Sequence, residues 1–542
     1  MHPTTRDICL EAHPSISASY RSPQPEHVRF SLESTSPIII KHPAGNFHSK
    51  SEEPKTSATT NYSLDGHNSP LTQENPPHEA ASAKSFSTLA DDKRISPPPE
   101  LTITLPEKRY NRIMRNIRWT VLSVYRRLNI LVVTANVITI IVLATQGKLS
   151  SMTPDSTATA VSVNLSVAVL IRQELVVNTL FWIFGKCPQS FPLRLRRLAA
   201  KIYHLGGMHS GAAMSATIWF AIFNLSIVNA YRSNLLTKNR EAIPSVTAIL
   251  DVLLISIVVV AHPAIRARIH NTFELVHRFA GWTALGLFWA LFALLVDAKM
   301  RDHGNTLTVQ SAVGANPIFW TLLVSTISVA SPWFWLRKVP VHAEHLSDHA
   351  VRLHFTYTNL PLCAAPRVSD SPLLEWHAFA GIPEEDGQGF SILVSKAGDW
   401  TTKLIRSPPT KLWVRGIPTM GVLHIAPIFK KVVLVATGSG IGPVLSLLTK
   451  VKINCRILWS TPNPEATYSA NVIDNVCLAD PAAIIINTSV SGRPDLVNQA
   501  YELYVNSGAE AIFVISNPRV TRTVVYGLES RGVPIFAPIF DS

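Results

Sequence analysis

The pattern of hydrophobic and polar positions divides the chain into four parts, of which the first has no sustained period. Residues 1–107 are rich in Ser, Pro and Thr, as in the run Ser96-Pro97-Pro98-Pro99. Such a segment cannot bury enough apolar surface to offset the entropy lost on ordering. We therefore predict a disordered N-terminal tail. No basic stretch followed by an apolar core is seen near Met1, so no secretory signal is expected.

The second part, residues 108–338, contains six apolar stretches. A helix that crosses about 30 Å of hydrocarbon needs about 20 such residues. We predict a multi-pass α-helical membrane domain whose six spans lie near residues 128–145, 161–184, 207–229, 243–262, 277–296 and 317–336.

The Lys and Arg residues that flank these stretches are unevenly shared between the two predicted sides. One side has seventeen and the other has six. Because positive residues accumulate on the cytoplasmic side, both termini are predicted to be cytoplasmic. The sequence does not indicate which membrane is involved.

Beyond residue 338 the pattern changes to short runs typical of strands. Residues 339–427 contain separate runs at 351–357, 390–394 and 411–414, which predict a small antiparallel β-barrel. Residues 428–542 alternate fully apolar runs with helical segments. This alternation predicts an α/β domain with a parallel sheet covered on both faces. Its predicted strands lie at 432–436, 457–459, 483–486 and 511–515, with helices from Ile441 and near 494–507.

Composition agrees with a membrane protein. The hydrophobic fraction is 47%, the mean hydropathy is +0.19 and charged residues make up 16%, against about 25% in an ordinary soluble chain. The net charge of +13 would suit a nucleic-acid-binding protein, but the basic residues lie beside apolar runs. A lipid bilayer, and no nucleic acid, is therefore the expected partner. The five cysteines are too scattered for a disulfide framework or a metal site.

One glycine-rich turn carries the strongest chemical signal. Thr437-Gly438-Ser439-Gly440-Ile441-Gly442-Pro443 follows a buried strand and precedes a predicted helix. Glycines let the backbone approach a pyrophosphate closely, and the start of a helix attracts anions. The turn predicts nucleotide binding, with a tight turn needed only for packing as the alternative.

From about residue 110 onward, the order of predicted parts resembles the ferric reductase and NADPH oxidase superfamily. These parts are six spans, then a barrel, and then a unit made of a strand, a Gly-x-Gly-x-x-Pro turn and a helix. This resemblance implies that the barrel binds FAD and the parallel sheet binds NAD(P)H. Residues 273–282, 436–443 and 538–542 resemble a narrower group, the fungal TmpA-type transmembrane flavoproteins with a ferredoxin-reductase-like C-terminal module. That group is related to the reductase-like tails fused to fungal adenylate-forming enzymes.

The resemblance implies particular residues on the flavin side. Trp376-His377-Ala378-Phe379 is similar to the His-Pro-Phe-Thr/Ser segment beside the flavin, so His377 and Phe379 are candidates. Gly398-Asp399-Trp400-Thr401 is similar to the helix entry that faces the FAD phosphates, which makes Thr401 a candidate. The family's hydroxyl residue is replaced by Ala380, which removes an expected hydrogen bond.

On the nicotinamide side the resemblance is partial. Arg493 lies in an Arg-Pro turn and is a candidate phosphate ligand, with a solvated loop arginine as the alternative. The family's Cys-Gly-Pro segment is replaced by Ser516-Asn517-Pro518. The sequence does not decide between NADH and NADPH.

Histidine spacing argues against two stacked haems. Each haem-binding helix of the superfamily carries two histidines 13 or 14 residues apart, and the predicted spans contain no such pair. A single inner haem held by His277 and by His204 or His209 stays open. The alternative is that these histidines bond to loop carbonyls or lipid head groups.

Polar residues also fall inside the second predicted span. Arg172 and Glu174 are near its middle, where ionisable groups need partners, and Asp251 of the fourth span is a candidate partner for Arg172. The alternatives are an ion pair and a polar site for a quinone, proton or small substrate. The tryptophans of the spans are expected to be packing and interfacial anchors rather than an electron path.

Together these observations predict a membrane-bound flavoprotein oxidoreductase that takes hydride from NAD(P)H onto FAD. Its electron acceptor, on the cytosolic or membrane side, is unknown. Two alternatives stay open. One is a haem-containing transmembrane ferric reductase or oxidase, and the other is a non-catalytic, nucleotide-responsive membrane sensor.

Overall fold

A computed structural model describes residue 95 and residues 102–302 and 308–539. The predicted disordered tail lies outside the described residues except for Ile95 and residues 102–107. The end of the 538–542 segment also lies outside them. Residues 102–107 run along the α/β domain, where the Thr102 hydroxyl donates to Glu502 at 2.5 Å and Arg531 Nε donates to the Pro106 carbonyl at 2.8 Å. This part of the predicted tail is therefore fixed to a folded domain.

Ten α-helices lie among the described residues up to 336. They are α1 (Arg112–Arg115), α2 (Val124–Thr145), α3 (Pro154–Leu170), α4 (Glu174–Gly185), α5 (Leu193–Ala199), α6 (Gly206–Arg232), α7 (Ala242–Val260), α8 (Pro263–Arg266), α9 (His270–Asp302) and α10 (Pro317–Phe334). A 3₁₀ turn at Ala200–His204 joins α5 to α6 through Leu205.

Five helices of the described residues, α2, α6, α7, α9 and α10, are long and apolar enough to cross a membrane. Helices α3 and α4 are also long and apolar enough when they are taken together, but the chain bends by 63° at their junction. The stretch predicted near 161–184 thus forms parts of two helices, α3 and α4, rather than one straight helix. The break has a local cause, because the Gln173 side chain accepts from the Leu175 and Val176 amides and so caps a new helix.

Helix α4 leaves the helical bundle and packs on the strand region. Val177 and Phe181 are almost fully buried there, whereas Leu175, Trp182 and Ile183 on its other face are each about half exposed. Thus α3 belongs to the bundle and α4 does not.

The ends of the long helices meet in two groups. At one end, Lys299 of α9 pairs with Asp155 of α3 at 2.6 Å, and Thr237 after α6 bonds to Asp302 of α9. At the other end, Arg278 near the start of α9 bonds to the strand region. This grouping is the one expected of helices that alternate in direction.

Eight strands and α11 (Asp399–Arg406) follow the bundle. The strands are β1 (Arg337–Pro340), β2 (His342–Ser347), β3 (Ala350–Phe355), β4 (Ala364–Ser369), β5 (His377–Ala378), β6 (Gly381–Pro383), β7 (Phe390–Ser395) and β8 (Lys411–Met420). They form two four-stranded antiparallel sheets, β1-β8-β4-β5 and β2-β3-β7-β6. The predicted single barrel is thus replaced by two sheets around a shared core, in which Val339 and Val414 of one sheet meet Leu353 and Ile392 of the other.

The C-terminal domain is the predicted α/β unit. Its strands are β9 (Val432–Thr437), β10 (Cys455–Thr461), β11 (Ile484–Asn487), β12 (Ala511–Ile515) and β13 (Ile535–Phe536). Its helices are α12 (Ile441–Leu448), α13 (Pro464–Tyr468), α14 (Ala470–Ala479), α15 (Thr488–Ser491), α16 (Leu496–Ser507) and α17 (Pro518–Glu529). All strand pairs are parallel, in the order β11-β10-β9-β12-β13. The order reverses between β9 and β12, and ligands of doubly wound sheets bind at the carboxyl ends of the strands at such a point.

Candidate functional site

A single cleft of about 1950 Å³ runs between the antiparallel sheets, the α/β domain and the start of α9. All ten cofactor-binding residues predicted from the sequence line this cleft, although they come from segments more than 100 residues apart. They are His377, Phe379, Thr401, Thr437, Gly438, Ser439, Gly440, Gly442, Pro443 and Arg493.

The glycine turn lies at the point where the strand order reverses. Gly438 has φ of +52°, a conformation that favours glycine, and its carbonyl accepts from Trp459 Nε1 at 3.0 Å. A Cβ at Gly440 would overlap the carbonyl oxygen of Ile515. Glycine at both positions is therefore required by geometry, because it keeps the turn tight against the end of β12.

Helix α12 begins directly after this turn, so its first amides face the cleft. On the opposite side of the turn, the hydroxyls of Thr437 and Ser516 are hydrogen-bonded to each other. Ser516 replaces the thiol that the family resemblance implies, and its hydroxyl here joins the ends of β9 and β12.

Aromatic rings form the flavin-side wall. The His377 ring stacks on Trp400 with centroids 4.0 Å apart, and Phe379 lies nearly parallel to Trp400 at 6.1 Å. His377 is 7% exposed, and its Nε2 is 3.1 Å from Glu375 Oε2. Burial lowers the pKa of His377, while the Glu375 carboxylate acts in the opposite direction. Near neutral pH this histidine is therefore expected to be uncharged.

Thr401 shapes the entry to α11. Its Oγ1 accepts from the amides of Ala397 and Gly398, each at 2.9 Å, and donates to the Gly398 carbonyl. The hydroxyl is thus used by the turn itself. The first amides of α11 are left to face an anion in the cleft.

The arrangement fits two nucleotide cofactors. Two helix starts offer amides to phosphates, and the aromatic wall offers a flat face for a ring system. Four cationic side chains also line the cleft, namely Lys396, Lys403, Arg493 and Arg519. Ala380 likewise lines the cleft without a hydroxyl.

Sequence reasoning missed the third wall of the cleft. It consists of His270, Asn271, Glu274 and Leu275 from the first turn of α9. The sequence indicated part of this arrangement, because the flanking Lys and Arg residues predict that the start of the fifth span lies on the same side as the strand region. Only the fold shows that this turn reaches the flavin side. Arg519 and the stacked position of Trp400 were also missed.

The predicted His204 and His277 pair is not formed. The His277 ring lies 6.1 Å from the ring of His209, and His209 Nδ1 is 2.8 Å from the Ala168 carbonyl. His204 instead lines a separate cavity of about 200 Å³ that also contains Glu529. Burial lowers the pKa of His204 to about 3. No cluster of three or more His, Cys, Asp or Glu residues able to hold a metal is found in the described ranges.

The polar residues of the second predicted span have other partners than expected. Glu174 is buried at the start of α4, where it pairs with Arg367 of β4 and accepts from the Ile417 amide at 2.9 Å. Asp251 accepts from Asn224 Nδ2 at 2.6 Å rather than meeting Arg172. Glu174 therefore joins the helical region to the strand region.

The fold and the cleft together define a region of long apolar helices that is joined to two antiparallel sheets and a parallel α/β sheet, with a glycine turn at the switch point of the parallel sheet. Residues 422–542 match the family model described as the C-terminal domain of adenylate-forming reductase 03009. The chain is 43% identical over 440 residues to adenylate-forming reductase 03009 and 42% identical over 442 residues to adenylate-forming reductase 06235, both from Coprinopsis cinerea. Each match covers 81% of this chain and 42% of the relative. The chain therefore spans less than half the length of the curated relatives that it matches.

Solved structures give weaker likenesses. A ferredoxin NADP⁺ reductase from Neisseria gonorrhoeae, with bound FAD and NADP, is 14% identical and has a TM-score of 0.32, covering 37% of this chain and 97% of its own. A flavohemoglobin from Malassezia yamatoensis is 13% identical, also with a TM-score of 0.32, covering 71% of this chain and 98% of its own. At TM-scores this low, neither likeness says anything about ligands.

Proposed function

We propose that the chain is an NAD(P)H-dependent flavin oxidoreductase held on a membrane by its helical region. The observation that carries the proposal is the single cleft that joins the glycine turn to the stacked rings of His377, Trp400 and Phe379. Similarity to relatives named as reductases supports the reaction class.

The residues have separate roles in this proposal. The amides after Gly438 bind the pyrophosphate of NAD(P)H, and Arg493 and Arg519 neutralise phosphate charge. Phe379 and Trp400 orient the flavin ring, while the entry to α11 holds its phosphates. FAD, when bound, would supply the hydride acceptor and the electron carrier.

Membrane attachment is part of the proposal. Five long apolar helices and the bent pair α3–α4 support it, as does the excess of Lys and Arg on the side that carries the strand and α/β domains. In this orientation both nucleotide-type sites face the cytosol.

The visible spectrum of the protein in mild detergent, before and after anaerobic NADPH or NADH, tests the proposal. A flavin band that bleaches with either nucleotide is the expected result. A flavin band that neither nucleotide bleaches, or no chromophore at all, would remove the oxidoreductase proposal and favour a nucleotide-responsive sensor.

A second candidate rests on the His209 and His277 pair. His209 of α6 and His277 of α9 have rings 6.1 Å apart and would each supply an imidazole to a haem held between these helices. The hydrogen bond between His209 Nδ1 and the Ala168 carbonyl would also orient the other ring nitrogen, as such bonds do for metal-ligating histidines. A Soret band that disappears in His209→Ala would support a haem-containing reductase. Its absence from the wild-type spectrum would eliminate this candidate.

A further inference from the structure

The cleft extends beyond the residues assigned to the two nucleotide cofactors. Its volume is about 1950 Å³, and its lining continues past the flavin-side rings to His270, Asn271, Glu274 and Leu275 at the start of α9. Neither nucleotide has been assigned a residue at this end. These residues can therefore contact a molecule that meets the flavin.

Hydrogen bonds from Arg278 hold the start of α9 against the strand region. Arg278 donates to the carbonyls of Leu373 and Leu374, at 3.0 and 2.5 Å, and its guanidinium is 3.8 Å from the Glu274 carboxylate. These contacts hold the start of α9 against the loop that carries Glu375. The polar residues of α9 and of this loop thus face the same end of the cleft.

Groups that can exchange protons come from both sides of this end. The loop supplies the bonded pair Glu375 and His377, and α9 supplies His270 and Glu274. His270 is close enough to His377 to disfavour its protonation. An acceptor that takes only electrons does not need such groups. A quinone does, because each carbonyl oxygen must gain a proton on reduction.

Apolar surface and location also favour a quinone. Leu275 and Leu374 line the same end of the cleft, where a ring and the first part of an isoprenoid chain would pack. This turn begins α9, which has 33 residues in all and is apolar enough to cross a membrane. In the proposed orientation the site lies where a molecule dissolved in the bilayer meets the cytosolic domains.

We infer that the end of the cleft between His270, Glu274 and the Glu375 and His377 pair binds a quinone, which is reduced there to the quinol. This inference rests on the proposed function. NAD(P)H gives two electrons and one proton as hydride, and the quinone takes two electrons and two protons. The second proton comes from solvent through His270 or through Glu375 and His377, so NAD(P)H, H⁺ and quinone give NAD(P)⁺ and quinol.

Steady-state rates of the full chain with two acceptors test the inference. A short-chain ubiquinone requires protons, whereas ferricyanide takes single electrons and none. The variants are His270→Ala and Glu274→Gln, with Thr272→Ala as the matched control, since Thr272 is exposed on the same turn and does not line the cleft. We expect the quinone rate of the first two variants to fall at least tenfold, as for loss of a general acid, with less than a twofold change for ferricyanide. The control should match the wild type with both acceptors.

The outcomes separate this inference from the function on which it rests. Equal losses with both acceptors, or a quinone rate that neither cleft variant lowers, would overturn the quinone site. A wild type that bleaches its flavin and reduces ferricyanide but not ubiquinone would do the same and leave the proposed function in place. A flavin that NAD(P)H does not reduce would remove both.

Discussion

At the scale of single residues, the cleft depends on positions where side-chain size or a single hydroxyl decides the local backbone. Thr401 uses its hydroxyl to close the turn before α11, and Gly440 leaves room for the end of β12. Neither residue needs to touch a cofactor to be necessary for the site. Their effect is to place main-chain amides where phosphates can meet them.

Gly440→Ala should therefore weaken nucleotide binding. The added methyl group would overlap a backbone carbonyl, which cannot rotate away as a side chain would. Overpacking of this kind costs about 1–3 kcal/mol, and a shifted turn should raise the Kd for NADP⁺ about tenfold, or 1.4 kcal/mol. Isothermal titration measures this change. Gly286→Ala is the control, because nothing lies within 4 Å of its added atom. Unchanged affinity in Gly440→Ala would show that the turn is not part of the nucleotide site.

At the scale of elements, buried ion pairs join the helical region to the domains that follow it. Glu174 at the start of α4 meets Arg367 of β4. Arg196 of α5 meets Glu510 just before β12 at 2.5 Å, with side-chain exposures of 4% and 17%. Arg196 also donates to the Ile428 carbonyl. These ties explain why the cleft can have walls from three different regions.

Removing the ion pair between Arg196 and Glu510 should destabilise the whole fold. Glu510→Ala leaves the buried Arg196 charge without its carboxylate, which typically costs about 3–5 kcal/mol, and should lower the Tm in detergent. The double variant Arg196→Met with Glu510→Met should lose less, since no buried charge is left over. If both variants unfold at the wild-type temperature, the ion pair does not hold the domains together.

The same tie predicts a pH dependence. Arg196 holds the pKa of Glu510 below its ordinary value, so its contribution to stability is complete above about pH 4.3, the ordinary value for Glu. It is lost as the pH falls through the lowered pKa of the folded state. The difference in Tm between wild type and the double variant should therefore shrink in acid.

At the scale of the whole molecule, the proposed membrane attachment depends on the directions in which the long helices run. The bend after α3 turns α4 away from the bundle and onto the strand region. One face of α4 carries the half-exposed side chains of Leu175, Trp182 and Ile183. This apolar face suits a membrane surface better than the aqueous phase. We therefore propose six crossings, by α2, α3, α6, α7, α9 and α10, which would leave both ends of the described chain on one side.

Cysteine labelling should show this topology. In a background without the native cysteines, a membrane-impermeant maleimide should label Ser151→Cys and Ser233→Cys from the side opposite the α/β domain. Ser190→Cys and Arg268→Cys should react only from the side of that domain. All four positions are exposed. If Ser190→Cys reacts on the same side as Ser151→Cys, α4 crosses the membrane as a separate span and the six-span arrangement is wrong.

Much of this architecture could be predicted from the sequence because it depends on local periodicity. Five of the six apolar stretches correspond to single helices, and the strand and helix rhythm after residue 430 forms the parallel sheet. The glycine turn was recognisable because its residue types are dictated by its own backbone geometry. The same holds for the flavin-side segments, which the fold brings to the same cleft.

Other features were decided only by the tertiary structure, since they depend on contacts between distant segments. The partner of Glu174 is 193 residues away, so its apolar surroundings in the sequence could not reveal the ion pair that it forms. The proximity of His209 to His277, the split of the predicted barrel into two sheets and the α9 wall of the cleft have the same origin. Hydrophobic periodicity determines which face of a segment is buried, but not which distant segment covers it.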